Sequence, residues 1–203
     1  MRILFQGDSV TDAGRNYADP DDLGPGYPKY AAERLRELFP DREFVFYNRG
    51  ISGNRSSQLL ARWQRDALDL KPDLVTLLIG VNDGWHRYDP VHICTSRTVY
   101  RENLKTILSS VKATGAKIIL LEPFCHKTPA IPDFRNDLNG MIEVCRDLAR
   151  EYADAYLPLD GMLAADAVIH PYDHLTNDGV HPNEEGRKWL GTLLADEIAK
   201  LIR

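Results

Sequence analysis

Five apolar segments separated by helical patterns constrain this chain more than any other feature. They are "RILFQ" (2–6), "EFVFYN" (43–48), "DLVTLLIG" (73–80), "AKIILLEP" (116–123) and "AYLPLD" (155–160). The third and fourth are almost continuously apolar, as parallel strands covered on both faces must be. Helical patterns fill the gaps at 28–38, 56–70, 98–113 and 136–152, and a last one runs over 184–202. In that last helix Trp189, Leu190, Leu193, Leu194, Ile198 and Leu201 recur at helical spacing, so one face packs on the sheet. Alternating strand and helix with right-handed crossovers predicts a three-layer α/β/α sandwich around a five-stranded parallel sheet.

The connections are unequal. Those from helix to strand are short ("FPDR", "KP", "TGA", "ADA"), whereas the segments 7–27, 49–55, 81–97, 123–135 and 161–183 follow the strands. In an open parallel sheet all of these emerge at the carboxyl edge, where ligands bind. Long loops need a reason, and a site built from them is the commonest one.

Composition narrows the function classes. The 203 residues contain no Pro/Gly/Ser linker, repeat or low-complexity tract, so one domain spanning 1–203 is expected. A net charge of −5 without a Lys/Arg cluster argues against a nucleic-acid partner and against an anionic membrane surface. No apolar run is long enough to span a bilayer. Three widely spaced cysteines, Cys94, Cys125 and Cys145, read as free thiols of a reducing compartment and offer no metal-binding pair. "MRILFQGD" opens directly on a strand without the features of a secretion leader, so the cytoplasm is expected; a mature chain that had lost its leader would read the same way.

Four loop motifs carry chemistry. "GDSVTD" places Asp8 and Ser9 at the tip of the first strand; such residues also serve as turn and cap chemistry. "DGVHP" spaces Asp178 and His181 so that the carboxylate can reach the imidazole Nδ1, leaving Nε2 to take a proton. "GISGN" contains Gly53, whose backbone is free for a tight turn or for an N–H aimed at an anion. "GVND" sets the Asn82 amide at the edge of the sheet, as a helix cap or as an oxyanion donor.

Taken together in this order, the four blocks resemble the SGNH hydrolases, or GDSL esterases, over essentially the whole chain. The resemblance implies a flavodoxin-like SGNH fold, with Ser9 as nucleophile, His181 as general base and acid, and Asp178 orienting the histidine. It implies an oxyanion hole from the N–H groups of Ser9 and Gly53 and the Asn82 side chain, with no cofactor or metal. Asp8 reads as a structural residue of the turn. "GPGYPKY", "NRGISGN", "ARWQRD" and "IGVNDGWHRYD" are similar to bacterial intracellular acetylxylan esterases and related carbohydrate esterases. That closer likeness implies a small ester substrate, an acetylated oligosaccharide, and assembly into a homo-oligomer. Tyr27 and Trp85 are then candidate platforms for a sugar ring, while Trp63 and Trp189 read as core or interface residues. Such esterases often carry an aromatic residue just before the Asp-x-x-His motif, where this chain has Asn177.

The alternatives are a lysophospholipase or thioesterase of the same family, a sugar-binding protein without turnover, and a metal-dependent phosphoesterase. The last would draw on Asp8, Asp12, Asp83, Asp178, His170, His174 and His181, but no helical His pair and no P-loop accompanies them. His170 and His174 read as loop residues without a catalytic role.

Overall fold

A computed structural model describes residues 1–90, 92–126, 134–171 and 173–203. Five parallel strands, β1 (Arg2–Gly7), β2 (Val45–Asn48), β3 (Leu74–Leu78), β4 (Lys117–Leu121) and β5 (Ala155–Leu157), form one sheet in the order β2-β1-β3-β4-β5. The helices are α1 (Ser9–Asp12), α2 (Tyr27–Leu38), α3 (Ser56–Asp66), α4 (Val81–Trp85), α5 (Arg97–Thr114), α6 (Arg135–Tyr152), α7 (Leu159–Asp166) and α8 (Glu184–Ile202). The predicted three-layer sandwich is what the chain adopts.

The layers follow from residue alternation. Ile3 and Phe5 of β1, Leu74 and Leu78 of β3, and Ile119 and Leu121 of β4 join one core with α2 and α8. Leu4, Val75, Leu77, Ile118 and Leu120 point to the other face, into a core with α3, α5 and most of α6. The chain runs from β1 to β2 in one direction and then back to β3 in the other. With right-handed crossovers this reversal puts α2 and α3 on opposite faces and opens a crevice between the carboxyl ends of β1 and β3.

Several boundaries differ from expectation. The third strand stops at Leu78, because Gly80 takes φ 136° and α4 starts at Val81. The fourth stops at Leu121; the N–H of the buried Glu122 that follows still bonds the Leu157 carbonyl at 3.0 Å, while its carboxylate binds Arg146 at 2.7 Å and the Tyr156 hydroxyl at 2.9 Å. The fifth stops at Leu157, since Pro158 has no N–H to donate and Leu159 begins α7. The helix expected over 56–70 ends at Asp66, and a separate 3₁₀ turn covers Leu68–Leu70. Most of the loop read at 123–135, namely 127–133, lies outside the described residues.

Candidate active site

Ser9 stands where β1 gives way to α1. Asp8 caps that short helix by accepting the Val10 N–H at 3.1 Å, the structural role expected of it. The Ser9 Oγ lies 2.9 Å from His181 Nε2, and His181 Nδ1 lies 2.7 Å from Asp178 Oδ2. The second Asp178 oxygen accepts the N–H groups of Val180 (3.0 Å) and His181 (2.8 Å). Partial burial pushes the Asp178 carboxyl upward, but these bonds outweigh it and hold the group below the usual carboxylate range. The segment carrying the histidine is closed by a Thr176–Pro182 bridge, and Asn183 caps α8 through the Gly186 N–H at 2.9 Å. The sequence spacing of 172 positions between Ser9 and His181 is spanned by topology: each follows a strand of the same sheet edge.

The second and third blocks meet beside Ser9. The Ser52 N–H and hydroxyl donate to Asp12 of α1 at 2.9 and 2.7 Å, docking the Gly53 loop against the turn that carries Ser9. A side chain at Gly50 would fall 2.4 Å from the Asp12 nitrogen, so that approach requires glycine. Gly53 takes φ 77°, the left-handed region. The Asn82 amide donates to the Asn54 carbonyl at 3.1 Å, which leaves its second N–H for another acceptor. Its neighbour Asp83 turns the opposite way, accepting the Ser56 N–H (2.9 Å) and hydroxyl (2.6 Å); burial raises its pKa.

Ser9, Val81, Asn82, Trp85, Asp178, Val180 and His181 line one cavity of about 300 Å³. A hydroxyl hydrogen-bonded to an imidazole, itself oriented by a carboxylate, beside an amide donor and an apolar wall, can run nucleophilic acyl transfer. Over residues 5–189 the sequence matches the GDSL-like lipase/acylhydrolase family. The chain belongs to that family.

As a GDSL acylhydrolase it is a carboxylic ester hydrolase. An acetylxylan esterase of Geobacillus stearothermophilus is 30% identical over 97% of this chain and 93% of its own length. The thioesterase/protease/lysophospholipase of Escherichia coli is 25% identical over 90% of this chain and 82% of its own. Among solved structures, one described as a GDSL-like lipase from Parabacteroides merdae superposes with a TM-score of 0.90 at 33% identity, covering 98% of this chain and 95% of that one. The Geobacillus acetylxylan esterase superposes with a TM-score of 0.84 at 28% identity, covering 98% and 92%.

Within this GDSL hydrolase the site residues read from sequence divide. Ser9, Asn82, Trp85, Asp178 and His181 share the cavity, and Gly53 lies in the loop whose Asn54 carbonyl binds Asn82. Tyr27 does not belong there. Its ring is fully buried edge-on against Phe5, and its hydroxyl sits 2.9 Å from Thr11 Oγ1, so it is a core residue and no platform for a sugar. Trp85 keeps a partly exposed face while its other side meets Phe134 edge-on at 5.4 Å. Trp63 is core, with Nε1 donating to Ser110, and Trp189 packs partly buried against the α2/α8 core.

Two supporting residues escape a reading of the sequence. The buried Arg62 guanidinium donates to the carbonyls of Gly7 (3.1 Å) and Arg49 (2.7 Å) and to the Asn54 side chain (2.8 Å), tying β1 to the Gly53 loop. His86 follows Asn82 by one helical turn; its Nε2 meets the Gly53 carbonyl at 3.0 Å while Nδ1 contacts Asp89. "ARWQRD" and "GWHRYD" contain these two residues, but neither stretch shows which carbonyl each will meet. The phosphoesterase ligands are dispersed: Asp12 binds Ser52 and Asp83 binds Ser56. Among the described residues, Asp166, His170 and His174 are the one group of three metal-competent side chains that converges.

Proposed function

We propose that this chain, read as one domain over 1–203, is a serine esterase that removes short acyl groups, chiefly acetyl, from xylo-oligosaccharides or other acetylated carbohydrates. The observation that carries this is the continuous contact Asp178–His181–Ser9 opening on a small cavity. Ser9 Oγ attacks the ester carbonyl as His181 Nε2 takes its proton. The oxyanion is held by the N–H groups of Ser9 and Gly53 and by the free N–H of Asn82. His181 then protonates the departing sugar oxygen as its bond to the acyl carbon breaks, releasing a free hydroxyl. Water, activated by the same imidazole, releases acetate from the acyl-enzyme.

Three features support the substrate class. The cavity of about 300 Å³ suits a small acyl group, and Trp85 offers it a flat apolar wall. The Geobacillus relative is named an acetylxylan esterase, and structures of its catalytic mutants replace a serine, an aspartate and a histidine, the last two three positions apart as here. That relative has a tryptophan immediately before the aspartate, whereas this chain has exposed Asn177, so one wall of the sugar site differs. Three free cysteines support a reducing compartment, which we take to be the cytoplasm. Among the described residues no helix is long and apolar enough to cross a membrane.

Acetate release from acetylated xylo-oligosaccharides, measured for the purified protein and for Ser9→Ala, tests this reading. Release that disappears in the variant is expected. The 25% identical thioesterase/lysophospholipase relative favours a second reading within the same mechanism. If acetate is not released while long-chain thioesters or lysophospholipids turn over through Ser9, the carbohydrate assignment falls and that second reading stands.

A further inference from the structure

We propose that Asp166, His170 and His174 form a binding site for a zinc-class divalent ion, outside the catalytic cavity. One potential ligand atom from each residue lies within 4.8 Å of the other two. His170 Nδ1 is 2.8 Å from Asp166 Oδ1; His174 Nδ1 is 3.0 Å from Oδ2 and 3.2 Å from Oδ1. The two imidazole centroids are 4.0 Å apart, so both rings present the same edge to one carboxylate. A tetrahedral zinc ion with ligands at its usual bond lengths separates neighbouring donors by about 3.4 Å. The imidazole–carboxylate contacts, at 2.8–3.2 Å, need to open by well under an ångström to admit the ion.

The backbone already holds the three in place. The His170 N–H bonds the Asp166 carbonyl at 3.0 Å and the His174 N–H bonds the Pro171 carbonyl at 3.0 Å. From the other side Asn183, the cap of α8, donates to the carbonyls of Asp173 and His174, both at 2.9 Å. An ion here staples the end of α7 to the strap leading into α8. Two nitrogens and one carboxylate are a donor set for zinc, nickel or cobalt; magnesium and calcium prefer oxygen throughout. Three protein ligands leave one position for water. None of the three residues lines the cavity with Ser9, so the site is structural and needs no part in the acyl transfer.

Calorimetry provides the test. Protein stripped with a chelator and exchanged into clean buffer is titrated with zinc chloride, beside His170→Gln, His174→Gln and a magnesium chloride control. One zinc per chain is expected, at least ten-fold weaker in each variant, with no heat from magnesium. Zinc should also raise the melting temperature of the wild type and leave both variants where they were, since only a folded-state site stabilises by mass action. Absence of zinc binding, wild-type affinity in either variant, or equal binding of magnesium would overturn the proposal. These readouts do not depend on ester hydrolysis, so the site stands or falls apart from the catalytic reading.

Discussion

Asp178 and His181 are each about half exposed, at 50% and 47% of their side-chain surface, so burial does not hold them in register. Hydrogen bonds do: both Asp178 oxygens are engaged, one of them twice by backbone N–H groups. The proposed oxyanion donor Asn82 is held across the fold instead, by its hydrogen bond to the Asn54 carbonyl. Asn82→Ala should lower ester turnover by about 10²–10³-fold, as loss of one such donor does elsewhere, with little change in KM; turnover near the wild-type value would remove Asn82 from the role. His86 acts one step further out, gripping the Gly53 carbonyl while Asp89 holds its other nitrogen. In His86→Ala the loop loses that grip, and kcat should fall about ten-fold with KM nearly unchanged. Equal effects on both constants would point to general unfolding of the loop. Asp8 gives a prediction in pH. Burial pushes its carboxyl up to about 7, partly opposed by the Val10 N–H and the charge of His181. Between about pH 4 and pH 7 the unfolded chain gives up a proton that the folded one keeps, so Asp8 costs stability as pH rises through that window. Asp8→Asn removes the titration and keeps an acceptor for Val10. Urea unfolding should show the variant gaining on the wild type from about pH 4 to pH 7, by up to about 4 kcal/mol; a constant gap contradicts the assignment.

At the scale of elements, long amphipathic patterns were legible and short helices were not. α5, α6 and α8 show several turns of apolar spacing, and α8 buries Leu190, Leu194 and Ile198 as read. α1 and α4 have four and five residues, too few to show a period, and α7 lies in a stretch whose Pro158 stop was read as strand. Their cause is tertiary: Asp8 caps α1, while buried Asp83 ties α4 to the start of α3. Tyr27 failed for a similar reason. Its position in a glycine-rich loop resembled a surface site, but it is the first residue of α2 and faces Phe5. Arg62 shows the reverse case, a polar residue on a helix that the fold buries. Arg62→Ala would leave the Gly7 and Arg49 carbonyls without their charged donor, and we expect a loss of roughly 2–4 kcal/mol in unfolding free energy. Stability within about 0.5 kcal/mol of wild type would mean that water replaces the guanidinium without cost.

At the scale of the whole molecule, the reversal of strand order between β1 and β3 brings four distant blocks to one crevice. Each block alone has an ordinary reading as turn or cap, and only the topology makes them neighbours. We further propose that this chain forms a homo-oligomer. The adjacent Val168 and Ile169, 81% and 76% exposed after α7, form an apolar patch that such an assembly would cover. Light scattering at micromolar concentration should give a mass above that of one chain, falling toward it in Val168→Ser/Ile169→Ser; a wild-type monomer would contradict the assembly. The proposed mechanism requires Ser9 to become acylated. Intact-protein mass spectrometry after exposure to an organophosphate ester provides the test, because a serine activated by an adjacent base is phosphorylated far faster than an unactivated hydroxyl. One added phosphoryl group per chain, mapped to Ser9 and absent from Ser9→Ala and strongly slowed in His181→Ala, is the predicted result. A wild-type chain that stays unmodified, or a label on another residue, would contradict the account.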